Sequence, residues 1–277
     1  MSALTRDRPQ ASRPPQHDNV FSPELAVFKL VPGEGADWQL GLVNALAVTQ
    51  RMRDAVLVHG DRLPRRVQAL LSGHGPDGGP LQHPHLAIFP LTSAEHPLAA
   101  RWIAGIALAL PRDVRADDRR QVLRAAGRIR RLVLGRLGVW SVVPRADSGD
   151  AVRAWTALPG GATQWATVTP LVYDVHPRAV GEDAQRQEVA GMIARACAHA
   201  GLPTPREIIA TQASAHLGTP PAHAFPRLRR KDGGERRHAH VVVTFDRPVT
   251  GPLLLGAGRY RGYGLLRPVP GPEARSP

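Results

Sequence analysis

The chain of 277 residues contains a single cysteine, Cys197. An internal disulfide is excluded, and so is any zinc site built on cysteine pairs. Lysine is nearly absent: among 36 basic residues only Lys29 and Lys231 are lysine. Aromatic residues make up 5 %. The longest apolar run, Trp102 to Leu110, is too short to cross a bilayer, which needs about 20 residues in a helix. Met1 to Gln10 lacks the apolar centre of a signal peptide. A cytoplasmic protein without a membrane partner is the expectation.

What is present is positive charge. The formal net charge is +13 and the isoelectric point about 11.3, which points to a polyanionic partner. A GC-rich coding sequence accounts for much of the arginine-for-lysine choice, but not for the surplus of basic over acidic residues. Arginine brings a planar fork that grips phosphate oxygens in pairs and stacks on bases.

Residues 1–20, rich in Arg, Pro, Gln and Asp, read as a disordered tail, and 271–277 as a second tail. Leu25 to Val31 reads as a strand and Trp38 to Leu57 as a helix. Residues 72–82 read as a glycine-rich loop, and His83–Leu91 and Ile103–Leu110 as strands. Asp117 to Leu134 has Val122, Ala126, Ile129 and Val133 at helical spacing, with Asp117 and Asp118 favoured by the helix dipole in the first turn. Its arginines, Arg120 to Arg131, read as a solvated face, with RNA contact as the alternative. Val139–Val143 closes this half as a strand. Residues 144–164 read as a linker. Ala166–Val175 (strand), Ala184–Ala200 (helix), then Glu207–Thr211, Ala239–Phe245 and Leu253–Leu255 (strands) repeat the order. The expected class is α+β: two tandem ferredoxin-like, RRM-like domains with antiparallel sheets, over 21–143 and 165–270. Such sheets are a common platform for RNA.

The segment GPLLLGAGRYRGYGLLRP, 251–268, is the sharpest signal. Gly256, Gly258, Gly262 and Gly264 allow positive φ and close approach of a ligand, and exposed amides in such a loop make an anion-binding concavity. Arg259, Arg261 and Arg267 add charge, and Tyr260 and Tyr263 offer stacking faces. A hairpin whose glycines serve only sharp turns is the plain alternative. A second basic segment carries Arg229, Arg230, Lys231, Arg236 and Arg237 around Asp-Gly-Gly.

His83-Pro84-His85 opens one strand and His238-Ala239-His240 another. Residues two apart in a strand share a face, so each pair aims at one place, and His74 precedes the first pair. Imidazole both takes and gives protons near neutrality. His74, His85 and His240 are therefore the candidates for cleavage of RNA by its own 2′-hydroxyl, a reaction that requires no cofactor and no metal. The pairs also hold the right residues for zinc or nickel, but no carboxylate joins either one within its strand.

These segments together resemble the RAMP-superfamily repeat-processing endoribonuclease of type I-U (I-G) CRISPR systems. The resemblance rests on LSGH at 71–74, HPHLAIFPL at 83–91, IAGIALALPR at 103–112, WATVTPLVYDVHPR at 165–178, GLPTP at 201–205 and the glycine-rich end. It implies a double ferredoxin-like fold and binding to the repeat stem-loop of CRISPR precursor RNA. It also implies metal-independent cleavage leaving a 2′,3′-cyclic phosphate, and delivery of the guide RNA to other subunits of a type I surveillance complex. Longer members carry a preceding region similar to the subunit that holds the guide's 5′ end. This chain reads as the processing half alone. Processing members often place a histidine on the first helix, and Trp38–Leu57 has none. Two alternatives remain at this point. One is a guide-RNA-binding subunit that does not cut. The other is a two-histidine cyclic phosphodiesterase, whose His-x-Thr or His-x-Ser motif is not matched where His85 and His240 stand.

Overall fold

The computed structural model describes residues 19–92, 100–146, 149–230 and 232–269. The tail expected at 271–277, most of that expected at 1–20, and Lys231 lie outside the described residues. Asn19 and Val20, the end of the expected tail, are ordered. The Asn19 amide donates to the carbonyls of Thr250 and Pro252 at 3.1 and 2.8 Å, and the amide of Val20 donates to Ala200 O at 3.0 Å.

The first half contains strands Ala26–Pro32 (β1), Leu40–Gly41 (β2), Ala87–Thr92 (β3), Trp102–Ala109 (β4), Arg131–Val133 (β5) and Val139–Pro144 (β6). Its helices are Ala45–His59 (α1), Arg65–Ser72 (α2) and Ala116–Ala126 (α3). The four main strands lie in the order β3-β4-β1-β6, all antiparallel. Taken as strands one to four, that is 2-3-1-4, the ferredoxin-like arrangement. On α1, Ala45, Val48, Thr49, Met52 and Val56 are buried at the three- and four-residue spacing of one helix face. β3 is buried along its whole length.

The second half contains Gly149–Thr156 (α4), Ala162–Thr167 (β7), Leu171–Val172 (β8), Glu182–His199 (α5), Glu207–Thr211 (β9), His238–Val249 (β10), Leu253–Leu254 (β11) and Leu265–Pro268 (β12). Its main strands lie in the order β9-β10-β7-β12, again 2-3-1-4 and antiparallel. Where the first half has α3 between its third and fourth strands, this half has β11 and the glycine-rich turns of 256–264.

The two sheets share a core. Trp155, Val168, Val172, Phe225, Leu228, Tyr263 and Leu265 of the second half belong to the same buried cluster as Val48, Met52, Leu86 and Phe89 of the first. A second cluster, centred on Trp165, Ile193, Val243 and Phe245, lies between α5 and its sheet.

Five local expectations need correction. The helix expected from Trp38 begins only at Ala45, after β2 and a tight 3-10 turn over Leu42–Asn44. The helix expected over 117–134 ends at Ala126. Gly127 costs a helix about 1 kcal/mol against Ala. Beyond it Arg131, Leu132 and Val133 alternate exposed, buried, exposed and pair with β6. Leu132 fills the core and Val133 is 57 % exposed, opposite to the helical reading. The expected linker folds in part as α4, whose Trp155 is buried. The strand expected from Ala166 to Val175 is broken into β7 and β8. Finally, His83 and His85 precede β3, because the amide of Leu86 donates to Leu70 O on α2 rather than into the sheet.

Candidate functional site

The loop after β11 is wedged between the halves. Gly262, at φ +80, lies so close to α1 that a Cβ there would stand 2.6 Å from Thr49 Cγ2. The Thr49 hydroxyl donates to Arg261 O at 2.8 Å, with Ala45 O also in reach at 2.9 Å. Gly256, Gly258 and Gly264 are likewise closed in by Val172, Tyr263 and Leu255. The amides of Ala257, Arg259, Arg261, Tyr263 and Gly264 all donate to protein carbonyls. Gly262 therefore serves close packing between the halves, and the other glycines and the amides serve close packing within the second half. The anion concavity expected from the loop's amides is largely spent internally, and phosphate contact falls to the arginine side chains.

The loop holds Tyr260 against His85. The two rings stack with centroids 3.5 Å apart and planes at 25°. Phe21 meets the tyrosine edge-on at 6.2 Å, and the Arg259 guanidinium lies 4.7 Å from its centroid. Gly73, at φ +70, lets its backbone lie against the His85 ring, where any Cβ would collide with Nε2. Arg53 of α1 donates to the carbonyls of Leu71 and Ser72, which pins the segment leading to Gly73. Burial pushes the His85 pKa down to about 4, with the nearby Arg53 cation next in effect and Arg259 and His74 adding to it; the backbone of His83 opposes them. The ring is thus neutral at pH 7. Its Nδ1 is buried without a hydrogen-bond partner. Nε2 is the ring nitrogen that lies against the Gly73 backbone. His74 is exposed, and its Nδ1 donates to Ser72 O at 3.0 Å.

The structure does not bring His240 to this place. His240 is 1 % exposed and both ring nitrogens are engaged. Nε2 donates to Pro220 O at 3.0 Å, which leaves Nδ1 to accept from the Thr167 hydroxyl, also at 3.0 Å. Its pKa is pushed down to about 4, chiefly by burial. His238 shares that face and donates to Ala222 O at 2.9 Å. The two are a same-face pair, as the spacing implied, but they face protein, not a substrate.

Three further site expectations change. Tyr263 is fully buried and donates to Pro226 O at 2.6 Å, so it offers no face to a base. One face of Tyr260 is already taken by His85. Arg267 is half-buried; it donates to His216 Nδ1 at 3.3 Å and lies 5.9 Å from the centroid of Trp155. It acts inside the protein.

The remaining cations are outward. Arg261, Arg229 and Arg136 line a groove between the halves, over Leu46 and Leu137. The second basic segment folds back on itself, with Arg230 N donating to Gly234 O at 2.7 Å and the backbones of Arg229 and Glu235 paired antiparallel. Arg230 pairs with Asp232 at 2.5 Å, and Arg236 donates to the carbonyls of Tyr173 and Asp174. Arg237 is exposed and has no acidic partner among the described residues.

Sequence reasoning missed Arg53 and His216. Arg53 follows Thr49 by four positions along the inward side of α1, a spacing that could have drawn attention to it. Nothing local marks His216, whose partners Ala166 and Arg267 arrive from distant strands. Among the described residues no group of three His, Cys, Asp or Glu side chains is placed to hold a metal. No described helix is long and apolar enough to cross a membrane.

No curated protein sequence matches the chain. Among solved structures it is similar to one described as "Crystal structure of Cas6b", at 8 % identity and TM-score 0.49, over 88 % of this chain and 99 % of that one. It is similar also to "An RAMP protein binding different RNA substrates", at 12 % identity and TM-score 0.45, over 89 % and 99 %. A third is "Characterization of a Cas6-related gene from Pyrococcus furiosus", at 13 % identity and TM-score 0.42, over 88 % and 98 %. Likenesses this distant carry no functional information by themselves. The sequence itself is decisive: the model of a family described as "CRISPR-associated protein, GSU0054 family" matches residues 14–268, nearly the whole chain, and the protein belongs to that family.

Proposed function

We propose that this protein is a CRISPR RNA-processing endoribonuclease of a type I-U system, which binds the repeat of the precursor RNA and cuts it without a metal ion. The observation that carries the reading is the His85–Tyr260 stack, an imidazole held neutral chiefly by burial, with Arg53 and Arg259 adding to it, at the seam of a basic two-lobed protein. Membership of a CRISPR-associated family supplies the RNA.

The chemistry follows from the groups present. Neutral His85 accepts the proton of a ribose 2′-hydroxyl. The 2′-oxygen attacks the adjacent phosphorus, forming one P–O bond while the P–O5′ bond breaks. The departing 5′-oxygen takes a proton from exposed His74. Arg53 and Arg259 offset the charge that builds on the phosphorane oxygens. The products are a 2′,3′-cyclic phosphate and a 5′-hydroxyl. Arg261, Arg229, Arg230, Arg236 and Arg237 hold the flanking phosphates, with Lys231 a further candidate from the same basic segment. The guide then passes to other subunits of the surveillance complex.

The test is incubation of the purified protein with end-labelled repeat RNA in EDTA, followed by analysis of product ends. One cut with a cyclic phosphate supports the reading. Tight binding with no cut would instead make the protein a guide-holding subunit.

A further inference from the structure

A short segment ahead of β1 ties the two halves together and leads onto the His85–Tyr260 stack. Asn19 is 4 % exposed. Its side-chain nitrogen holds the carbonyls of Thr250 and Pro252, and its Oδ1 accepts from the amide of Phe21 at 3.0 Å. One side chain thus grips the second half and fixes the backbone two residues on. The amide of Val20 donates to Ala200 O, also in the second half.

The remaining bonds run to the first half. Val20 O accepts from the amide of Arg112 at 2.9 Å, and the amide of Ser22 donates to Leu110 O at 2.9 Å. The Arg112 guanidinium donates to Asn19 O at 3.2 Å and to Phe21 O at 3.3 Å. Residues ahead of a first strand hold one conformation only when tied down in this way. Asn19–Ser22 is therefore a strap across the seam on which the site is built.

The side chain that the strap delivers is Phe21. At 1 % exposure it cannot touch RNA, and it belongs to the core shared by the halves. Its ring stands at 72° to that of Tyr260, with centroids 6.2 Å apart. A T-shaped pair sets the positive edge of one ring against the negative face of the other, so it holds an angle as well as filling space. Tyr260 in turn lies at 25° and 3.5 Å on His85. In a close-packed interior the tilt of one ring is passed to the next. An aliphatic side chain in place of Phe21 would fill the space without fixing the angle.

We propose that Phe21 is a positioning residue for the cutting site: the strap sets the plane of Tyr260, and through it the plane of His85, and so governs the chemical step rather than the binding of RNA. This rests on reading the protein as a nuclease, and deepens it by placing control of His85 in a segment bonded to both halves.

The test pairs Phe21→Leu with Phe245→Leu in the full chain. Phe245 is also 1 % exposed, but lies in the second cluster, between α5 and its sheet. Both variants lose a buried ring, and both should lower the melting temperature. The readouts are the ring-proton resonances of His85, which the stacked Tyr260 shields, and the single-turnover rate and affinity on repeat RNA. Phe21→Leu should move the His85 protons downfield and slow cleavage at least about fivefold, with affinity within about twofold of the parent. Phe245→Leu should leave all three at parent values. Asn19→Ala keeps the Phe21 ring but frees the strap from Thr250 and Pro252; it should shift His85 in the same direction, and it decides the matter if Phe21→Leu does not fold. Parent-like His85 resonances in these strap variants, or equal slowing in the two leucine variants, overturn the inference. A parent protein that cuts no repeat RNA removes the nuclease reading. The His85 resonances then decide alone: a downfield shift in Phe21→Leu upholds its hold on the stack, and no shift overturns it.

Discussion

His85 and Tyr260 lie ring on ring, although one belongs to a loop of the first half and the other to the turn that replaces a helix in the second. The site is thus assembled only when the halves close on each other. Tyr260→Ala removes a stacking partner worth about 0.5–1.5 kcal/mol. Misplaced reacting groups cost far more in rate than in binding. Cleavage should fall at least tenfold while the dissociation constant for repeat RNA changes less than about threefold. Tyr260→Phe keeps the ring and should stay near the parent rate. Equal losses in both variants would assign the work to the phenol oxygen.

Gly73 makes room for the same imidazole. Its φ of +70 and the absent Cβ let the His85 ring lie on its backbone. Gly73→Ala should lower stability by at least about 1 kcal/mol, since Ala is strained at positive φ, and should displace His85. A urea melt and a cleavage rate measured together check this. An unchanged rate would show that the ring position does not matter.

The pH dependence of cleavage should carry the signature of a depressed histidine. For the free enzyme, the base limb of kcat/KM reports the pKa of the essential base. With His85 at about 4, kcat/KM should be flat in that limb from pH 7 to about 5 and fall only below that. A limb near the ordinary histidine value of about 6.5 would mean that another group accepts the proton.

Stability has its own pH window. His216 and His240 are buried as neutral rings with pKa values pushed down to about 4. In the unfolded chain histidine titrates near 6.5. As pH falls below 6.5 the unfolded state takes up protons first, so stability is lost between about 6.5 and 4 and is level above that window. The loss should amount to a few kcal/mol in total, of the order expected for buried neutral histidines. Melting temperature against pH tests it, and His216→Gln should flatten the slope.

Much of the fold was legible from periodicity. On α5, Val189, Ile193 and Ala196 mark the inward face, and all three are buried. β9 matches its expected limits of Glu207 and Thr211. Between Gly127 and Leu134 the reading failed because Ile129 and Val133 fit helical spacing while Leu132 and Leu134 fit alternation; pairing with β6 decides between them. α4 was hidden by surrounding glycines. At the site, the histidine motif and the glycine-rich segment drew attention to His85 and Tyr260, but not to their contact, nor to Arg53, since both depend on how the halves dock. His240 misled because alternation tells which residues share a face, not whether that face meets water.

The salt dependence of binding separates phosphate contacts from internal cations. Arg261→Ala and Arg229→Ala should each reduce the slope of log K against log salt by about 0.7 if the contacted strand is single. Arg267→Ala, whose side chain points at His216 and Trp155, should lower stability and leave the slope unchanged.

The most direct measurement is single-turnover cleavage of repeat RNA in EDTA by the parent protein and by His85→Ala, with RNA affinity measured on the same preparations. The account predicts a fall of about 10²–10⁴-fold in rate, the usual worth of a general base, with affinity retained. Cleavage by His85→Ala at the parent rate would contradict it.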